Sequence, residues 1–332
     1  MVDTIAVVGA TGAVGRIIVS LLLERQFPAR RVKLLASSRS AGRPLEIGGG
    51  RFDVEVTTPE AFEGVDIAIG STPDEVAREF VPQAVEQGAV VVDESAAFRM
   101  QQGVPLVIPE VNPEAIADHR GIIASPNCST TQMVMALKPL HDAAGVRRVV
   151  VSTYQAVSGA GLAASRELLE GMRAVLSGDP EPRSVFPHPI VGNLIPQIGS
   201  PRDRGSTSEE MKMVLETRKI LGDDSIGILA TCVRVPVVTA HSESILVETH
   251  RKLTAEEARR LLAEAPGIVV HDDLATGSYP TPRAAEGRDE VIVGRIREDD
   301  SCENGIAMWC VCDNLRKGAA TNAVQIAEAL AR

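Results

Sequence analysis

Thr4-Ile-Ala-Val-Val-Gly9-Ala-Thr-Gly12-Ala-Val-Gly15-Arg16 is the stretch on which the reading of this chain turns. Residues 4–9 read as a buried strand, and Arg16 to Arg25 carry the apolar periodicity of a helix. A strand, a glycine turn and a helix in that order let backbone N–H groups at a positive helix end approach a ligand closely, which suits a pyrophosphate. The spacing Gly9-x-x-Gly12-x-x-Gly15 departs from the usual dinucleotide fingerprint, and a glycine turn alone serves plain chain reversal equally well. Its place directly after the first strand favours a cofactor, with Gly9, Thr11, Gly12, Ala13 and Val14 as the contacts.

Beyond this turn, strand patterns at 32–36, 65–69, 89–93 and 121–125 alternate with helical patterns near 74–87 and 128–143. That alternation predicts a doubly wound parallel sheet of the Rossmann type. From 147 the texture changes to longer strands at 147–157, 226–235, 242–250, 291–297 and 305–312, with helices near 161–176, 206–221 and 254–265. The expected fold class is therefore α/β: a dinucleotide-binding domain at 1–127, rejoined by a C-terminal helix in 314–332, plus an α+β domain at 128–313 on a mixed or antiparallel sheet. The polar stretches 177–205 and 276–290 are expected to be loops or interface arms.

Behind the second strand stands Ala36-Ser-Ser38-Arg39-Ser40-Ala-Gly42, where an NAD site usually carries an acid for the ribose hydroxyls. Arg39 with Ser38 and Ser40 can instead hold a 2′-phosphate by charge-assisted hydrogen bonds, so NADP is the expected cofactor. An ordinary solvated loop with one arginine is the plainer alternative.

The 332 residues are 44% hydrophobic and 23% charged, a globular mix that argues against disorder. Lysine and arginine number 34 against 44 acidic residues, a net charge of −10 that makes nucleic acid a poor partner. No apolar run suits a membrane span, and Asp3 stands where a signal peptide would carry positive charge, so a cytoplasmic protein is expected. Cysteines fall at 128, 232, 302, 310 and 312, an odd number without zinc-type pairing, so reduced thiols and no metal site are expected. Cys310 and Cys312 share a strand face and read as core.

Cys128 is different. The strand pattern 121–125 runs into Pro126-Asn127-Cys128-Ser-Thr-Thr-Gln132, after which the composition is helical. A cysteine at a helix start meets unpaired N–H groups and a dipole that favour thiolate over thiol, and the same groups can receive an oxyanion. A thiolate nucleophile needs a proton-transfer partner, and chemistry alone does not choose among the histidines at 119, 141, 188, 241, 250 and 271. His241 stands out by context, in the turn between two strands in Arg234-Val-Pro-Val-Val-Thr-Ala-His241-Ser.

Together these residues resemble the aspartate-semialdehyde dehydrogenase family. The likeness runs through the Gly9 turn, Ser-Ala-Ala-Phe-Arg99, Ser-Pro-Asn127-Cys128-Ser, Tyr-Gln155-Ala-Val-Ser158-Gly159, Glu209-Glu210-Met-Lys212, Arg234-Val-Pro-Val with His241, and Asp313-Asn314. The resemblance implies reversible conversion of L-aspartyl 4-phosphate and NADPH to L-aspartate 4-semialdehyde, phosphate and NADP, through a thioester on Cys128, as a shared step toward lysine, methionine, threonine and isoleucine. It implies His241 as general acid–base and Gln155 as orienter of the acyl group. Arg234, Lys212, Arg99, Asn127 and Glu210 would bind substrate, with Glu209 a competitor for the Glu210 role. Ser158, Gly159 and Asn314 would contact the cofactor, and a homodimer is implied. Reduction of a related acyl phosphate such as N-acetyl-glutamyl phosphate is the alternative. The one local departure is Ala240 before His241, where many relatives have glycine; little effect is expected of so small a side chain.

Overall fold

The structure is a computed structural model and describes residues 2–332. The chain divides into two compact units: the chain up to Asn127 together with Ala319–Arg332, and Cys128–Gly318. The return to the first unit begins at Ala319, later than the expected 314. Asp313 and Asn314 are held within the second unit, Asp313 by the N–H groups of Gly287 and Leu315, Asn314 by Ser158 and Ala240.

In the first unit β1 (Val2–Val8), α1 (Ala13–Glu24), β2 (Ala29–Ala36), a small hairpin of β3 (Leu45–Ile47) and β4 (Gly50–Phe52), β5 (Val54–Val56), β6 (Ile67–Gly70), α2 (Asp74–Glu86), β7 (Val90–Asp93) and β8 (Ile122–Ala124) follow in chain order. The six-stranded sheet has the order β5-β2-β1-β6-β7-β8, and every pairing in it is parallel. Strand order reverses direction at β1, the switch point where doubly wound sheets place their ligands. Ile5, Val7, Ile18, Leu21 and Ile69 are fully buried beneath it, and the C-terminal helix Thr321–Leu330 adds Ala323, Val324, Ile326 and Ala327 to the same core. The C-terminal helix expected in 314–332 begins at Thr321, after a π-helical turn at Arg316–Ala320.

The second unit opens with α3 (Cys128–Ala144), then β9 (Val146–Gln155), α4 (Leu162–Ser177), α5 (Ser208–Leu221), β10 (Gly227–Arg234), β11 (His241–Thr249), α6 (Ala255–Glu264), β12 (Ile268–Val270), the short α7 (Pro282–Ala285), β13 (Val291–Asp299) and β14 (Gly305–Cys312). Its sheet, ordered β10-β9-β11-β14-β13-β12, is mixed: β10 runs parallel to β9 and β12 to β13, and the other neighbours are antiparallel. The expected strands are present within a few residues of their predicted limits, and Cys310 and Cys312 are buried in β14 as expected. No helix of the described residues is long and apolar enough to cross a membrane.

Candidate active site

Sheet register brings four strand ends to one place in the second unit. Arg234 on β10 pairs with Gln155 on β9, and His241 on β11 pairs with Cys312 on β14. Side chains alternate along a strand, so the row beneath this one is Cys232, Thr153, Glu243 and Cys310. Helices α3 and α5 pack on the sheet, and they carry Cys128 and Glu209 in their first turns.

Cys128 is the first residue of α3, half-buried, with no acid in the first turn to oppose an anion there. Gly318 lies against it: a Cβ at Gly318 would stand 2.9 Å from the Cβ of Cys128, so a side chain there would displace the thiol. Gly159 stands in the same relation to Arg234 and His241: an added Cβ would lie 3.1 Å from Arg234 Nη1 and 3.2 Å from His241 Nε2.

His241 is fully buried. Its Nδ1 accepts the backbone N–H of Ala156 at 3.0 Å, which assigns the ring proton to Nε2, and Nε2 itself has no hydrogen-bond partner. Burial, then the nearby Arg234 charge, hold its pKa down to about 3 against the opposing pull of Glu209, so the ring is neutral at working pH. Arg234 is buried and donates through Nη1 to Ala156 O at 2.6 Å. Burial lowers its pKa from the ordinary value, opposed by Glu209 and Cys128. Gln155 accepts the Thr153 hydroxyl at 2.9 Å and donates through Nε2 to Glu209 Oε1 at 3.1 Å. Lys212 Nζ lies 3.2 Å from the other oxygen of Glu209.

In the first unit, a cavity of about 580 Å³ is lined by Gly9, Thr11, Gly12, Ser37 and Arg39 among others. Gly9 sits at φ +81°, and a Cβ on it would lie 2.2 Å from Ser71 O; a Cβ on Gly15 would lie 2.2 Å from Gly9 O. Gly12 caps α1, whose first turn carries neither a side-chain cap nor an acid. A tight glycine cradle ending on an open helix N-terminus fits a phosphate-bearing nucleotide. Ala13 and Val14 begin that helix. Of the arginine segment, Arg39 and Ser37 face the cavity rather than Ser38 and Ser40, and Glu79 of α2 also reaches it.

Residues 4–119 match the family model for "Semialdehyde dehydrogenase, NAD binding domain", and residues 137–317 match "Semialdehyde dehydrogenase, dimerisation domain". An aspartate-semialdehyde dehydrogenase of Aquifex aeolicus is 51% identical over 332 residues, covering 99% of this chain and 98% of its own. The crystal structure of aspartate semialdehyde dehydrogenase II from Vibrio cholerae agrees with a TM-score of 0.97 at 46% identity, covering 100% of this chain and 99% of that one. The aspartate semialdehyde dehydrogenase with NADP from Candida albicans agrees with a TM-score of 0.79 at 29% identity, covering 100% and 99%. The chain belongs to the aspartate-semialdehyde dehydrogenase family.

The first unit is accordingly the NAD(P)-binding domain of an aspartate-semialdehyde dehydrogenase family member. The resemblance implied Glu210 as the substrate acid, with Glu209 its competitor, and the structure commits Glu210 to backbone groups instead. Glu210 closes a capping box at the start of α5: Thr207 N–H donates to its Oε2 at 2.7 Å, and Cys232 N–H donates to its Oε1 at 3.1 Å. Both oxygens are occupied by backbone amides, whereas Glu209, one residue earlier and about 100° round the helix, is the buried acid facing Gln155 and Lys212. The signal was in the sequence, since Thr207-Ser-Glu-Glu210 has the spacing of a capping box.

Ser158 and Asn314 contact each other at 3.1 Å, and Asn314 Oδ1 also accepts the Ala240 N–H at 2.9 Å. Asn314 thus braces the corner that aims His241. Ala240 occupies the left-handed region at φ +73° and is fully buried, so alanine there is not neutral: it carries a strain of about 1 kcal/mol that glycine would not. Arg99 lies in the first unit, buried, and donates to Ser125 O at 2.9 Å and Glu94 O at 2.7 Å. Asn127, also buried, directly precedes Cys128.

Proposed function

We propose that the chain is an NADP-dependent aspartate-semialdehyde dehydrogenase, reducing L-aspartyl 4-phosphate to L-aspartate 4-semialdehyde with release of phosphate, reversibly, through a thioester on Cys128. The observation that supports this reading is a half-buried thiol at a helix start within electrostatic reach of the buried Arg234 guanidinium, in the unit that also holds a neutral His241 and the Glu209 carboxylate bound by Gln155 and Lys212. An amino acid with a side-chain acyl phosphate presents an α-carboxylate, an α-ammonium and a phosphate. Arg234 fits the first with its planar fork, Glu209 fits the second, and Lys212 offers charge to the third. The relatives' names, and a Vibrio cholerae enzyme structure complexed with ASA, support the same substrate.

The helix N-terminus favours the Cys128 thiolate, which attacks the acyl carbon and expels phosphate. Gln155 orients the acyl group from its fixed place beside Glu209. His241 meets the substrate as a neutral ring holding its proton at Nε2, so it donates toward the acyl oxygen as negative charge gathers there, and the buried setting strengthens that hydrogen bond. The general acid–base role implied by resemblance is narrowed to this atom. A bound nicotinamide cofactor would supply the hydride that reduces the thioester to the aldehyde. Arg99 and Asn127 are proposed as substrate residues, and Ser158, Gly159 and Asn314 as cofactor residues, on the resemblance. The match to a dimerisation domain supports a homodimer, and a cytoplasmic biosynthetic role toward lysine, methionine, threonine and isoleucine goes with the family.

Phosphate-dependent reduction of NADP, assayed with L-aspartate 4-semialdehyde and with N-acetyl-glutamate 5-semialdehyde, tests the substrate. An N-acetylated substrate has no ammonium for Glu209, so activity is expected with the first only; activity confined to the second overturns the proposal. Arg39→Glu tests the cofactor: it removes the cation in the cavity and adds repulsion, so NADP affinity is expected to fall by about 100-fold while NAD affinity changes little. Titration with both nucleotides reads this directly, and an unchanged preference removes Arg39 as the 2′-phosphate partner.

A further inference from the structure

One buried acid has no part in the steps above. Glu243 stands two residues after His241 on the same face of β11, in the row directly beneath the site, opposite Thr153 on β9 and Cys310 on β14. It is fully buried, and neither of its carboxyl oxygens has a hydrogen-bond partner among the described residues. The polar group turned toward it is the side-chain amide of Gln132 on α3, also fully buried and also short of full hydrogen-bond geometry. Gln132 lies one helical turn below Cys128, on the same face of α3.

We infer that the Glu243 carboxyl, lodged uncharged between Gln132 of the nucleophile's helix and the strand that ends in His241, is a positioning residue that sets Cys128 against His241. This rests on the proposed roles of those two residues. An ionised carboxylate here would be a fully buried charge whose one polar companion is the Gln132 amide, an arrangement the interior disfavours, so burial favours the protonated acid. Uncharged, it can give its O–H to the Gln132 amide, joining the first two turns of α3 to the sheet. Ionised, it would put a negative charge under the thiolate. Along its row the titratable neighbours are the thiols Cys232 of β10 and Cys310 of β14; in the row above, His241 on β11 is neutral, and Cys312 on β14 also feels the buried Lys317.

Burial correspondingly pushes the Glu243 pKa up to about 8, against an ordinary value of 4.5. A carboxyl raised on folding contributes stability that is present below pH 4.5 and is lost as pH rises to about 8. Through that window the folding constant falls by up to about tenfold per pH unit for this proton. Glu94 in the first unit is raised to about 8 as well, and it is common to both proteins compared below.

The test uses the full chain and two variants, Glu243→Gln and Glu243→Leu. Denaturant unfolding from pH 5 to 8 is expected to show a pH slope shallower by about one proton in Glu243→Gln than in wild type. The rate of iodoacetamide capture at Cys128, followed by mass spectrometry of its peptide at pH 7, is expected to be kept by Glu243→Gln, which can give an N–H to the Gln132 amide in place of the acid's O–H, and to fall by about tenfold in Glu243→Leu. Equal pH slopes for wild type and Glu243→Gln overturn the uncharged acid. Capture at the wild-type rate in Glu243→Leu, or a tenfold loss in Glu243→Gln, overturns the positioning role. If Glu243→Leu does not fold, both Glu243→Gln readouts still decide. Neither readout uses substrate or cofactor, so failure here is separable from failure of the proposed reaction.

Discussion

Cys128→Ser is expected to lower turnover by about 10⁴-fold or more while nucleotide binding stays at the wild-type level. Serine preserves the size of the side chain at the start of α3 and the gap left by Gly318, so packing gives no reason for loss. What changes is the nucleophile: a hydroxyl is not ionised by a helix terminus at neutral pH, and the neutral His241, with Nδ1 committed to the Ala156 N–H, has no free lone pair with which to take its proton. Rapid mixing of the wild-type protein with aspartyl phosphate, followed by mass spectrometry, should trap an acyl group on the peptide that begins α3, and Cys128→Ser should show none. Turnover by Cys128→Ser within a few fold of wild type would sink the covalent route.

Gly9→Ala is expected to cost about 2–4 kcal/mol of stability and to weaken dinucleotide binding by at least about 30-fold. The residue has φ +81°, and its new methyl would be 2.2 Å from the carbonyl oxygen of Ser71, a backbone atom that cannot rotate aside. Either β1 or the turn after β6 must move, and both border the same cavity. Gly12→Ala is the matched control, since its Cβ would lie 3.3 Å from Gly9 O and φ there is extended. Thermal melts and nucleotide titrations on both variants make the comparison; unchanged affinity in Gly9→Ala would mean that this turn is not the cradle.

How far the sequence could be read follows from what kind of signal each residue leaves. The Gly9 turn and Cys128 were legible because a strand, a break and a helix surround each of them, and periodicity reports that directly. Gln155 and the role of Arg234 came from resemblance and His241 first from its place between two strands, but their meeting depends on the register of β10, β9 and β11, which side-chain alternation within one strand does not reveal. The Glu209 and Glu210 choice turned on one residue of helix phase, and the capping spacing that resolves it competes with a plain reading of charges on a solvated turn. The left-handed backbone at Ala240 was hinted at only by the glycine that many relatives carry there, since alanine itself gives no sign of positive φ, and its strain was underestimated. Glu243 carries no sequence signal of its own, and only the packing of α3 against β11 shows it to be interior.

The two ends of the second unit, Cys128 and Gly318, touch each other, and the last helix of the chain completes the core of the first unit. During synthesis on the ribosome the usual order of domain completion is therefore reversed. The second unit has all of its residues before Ala319 is added, while the nucleotide-binding sheet waits for the helix Thr321–Leu330 to emerge before its apolar surface is covered.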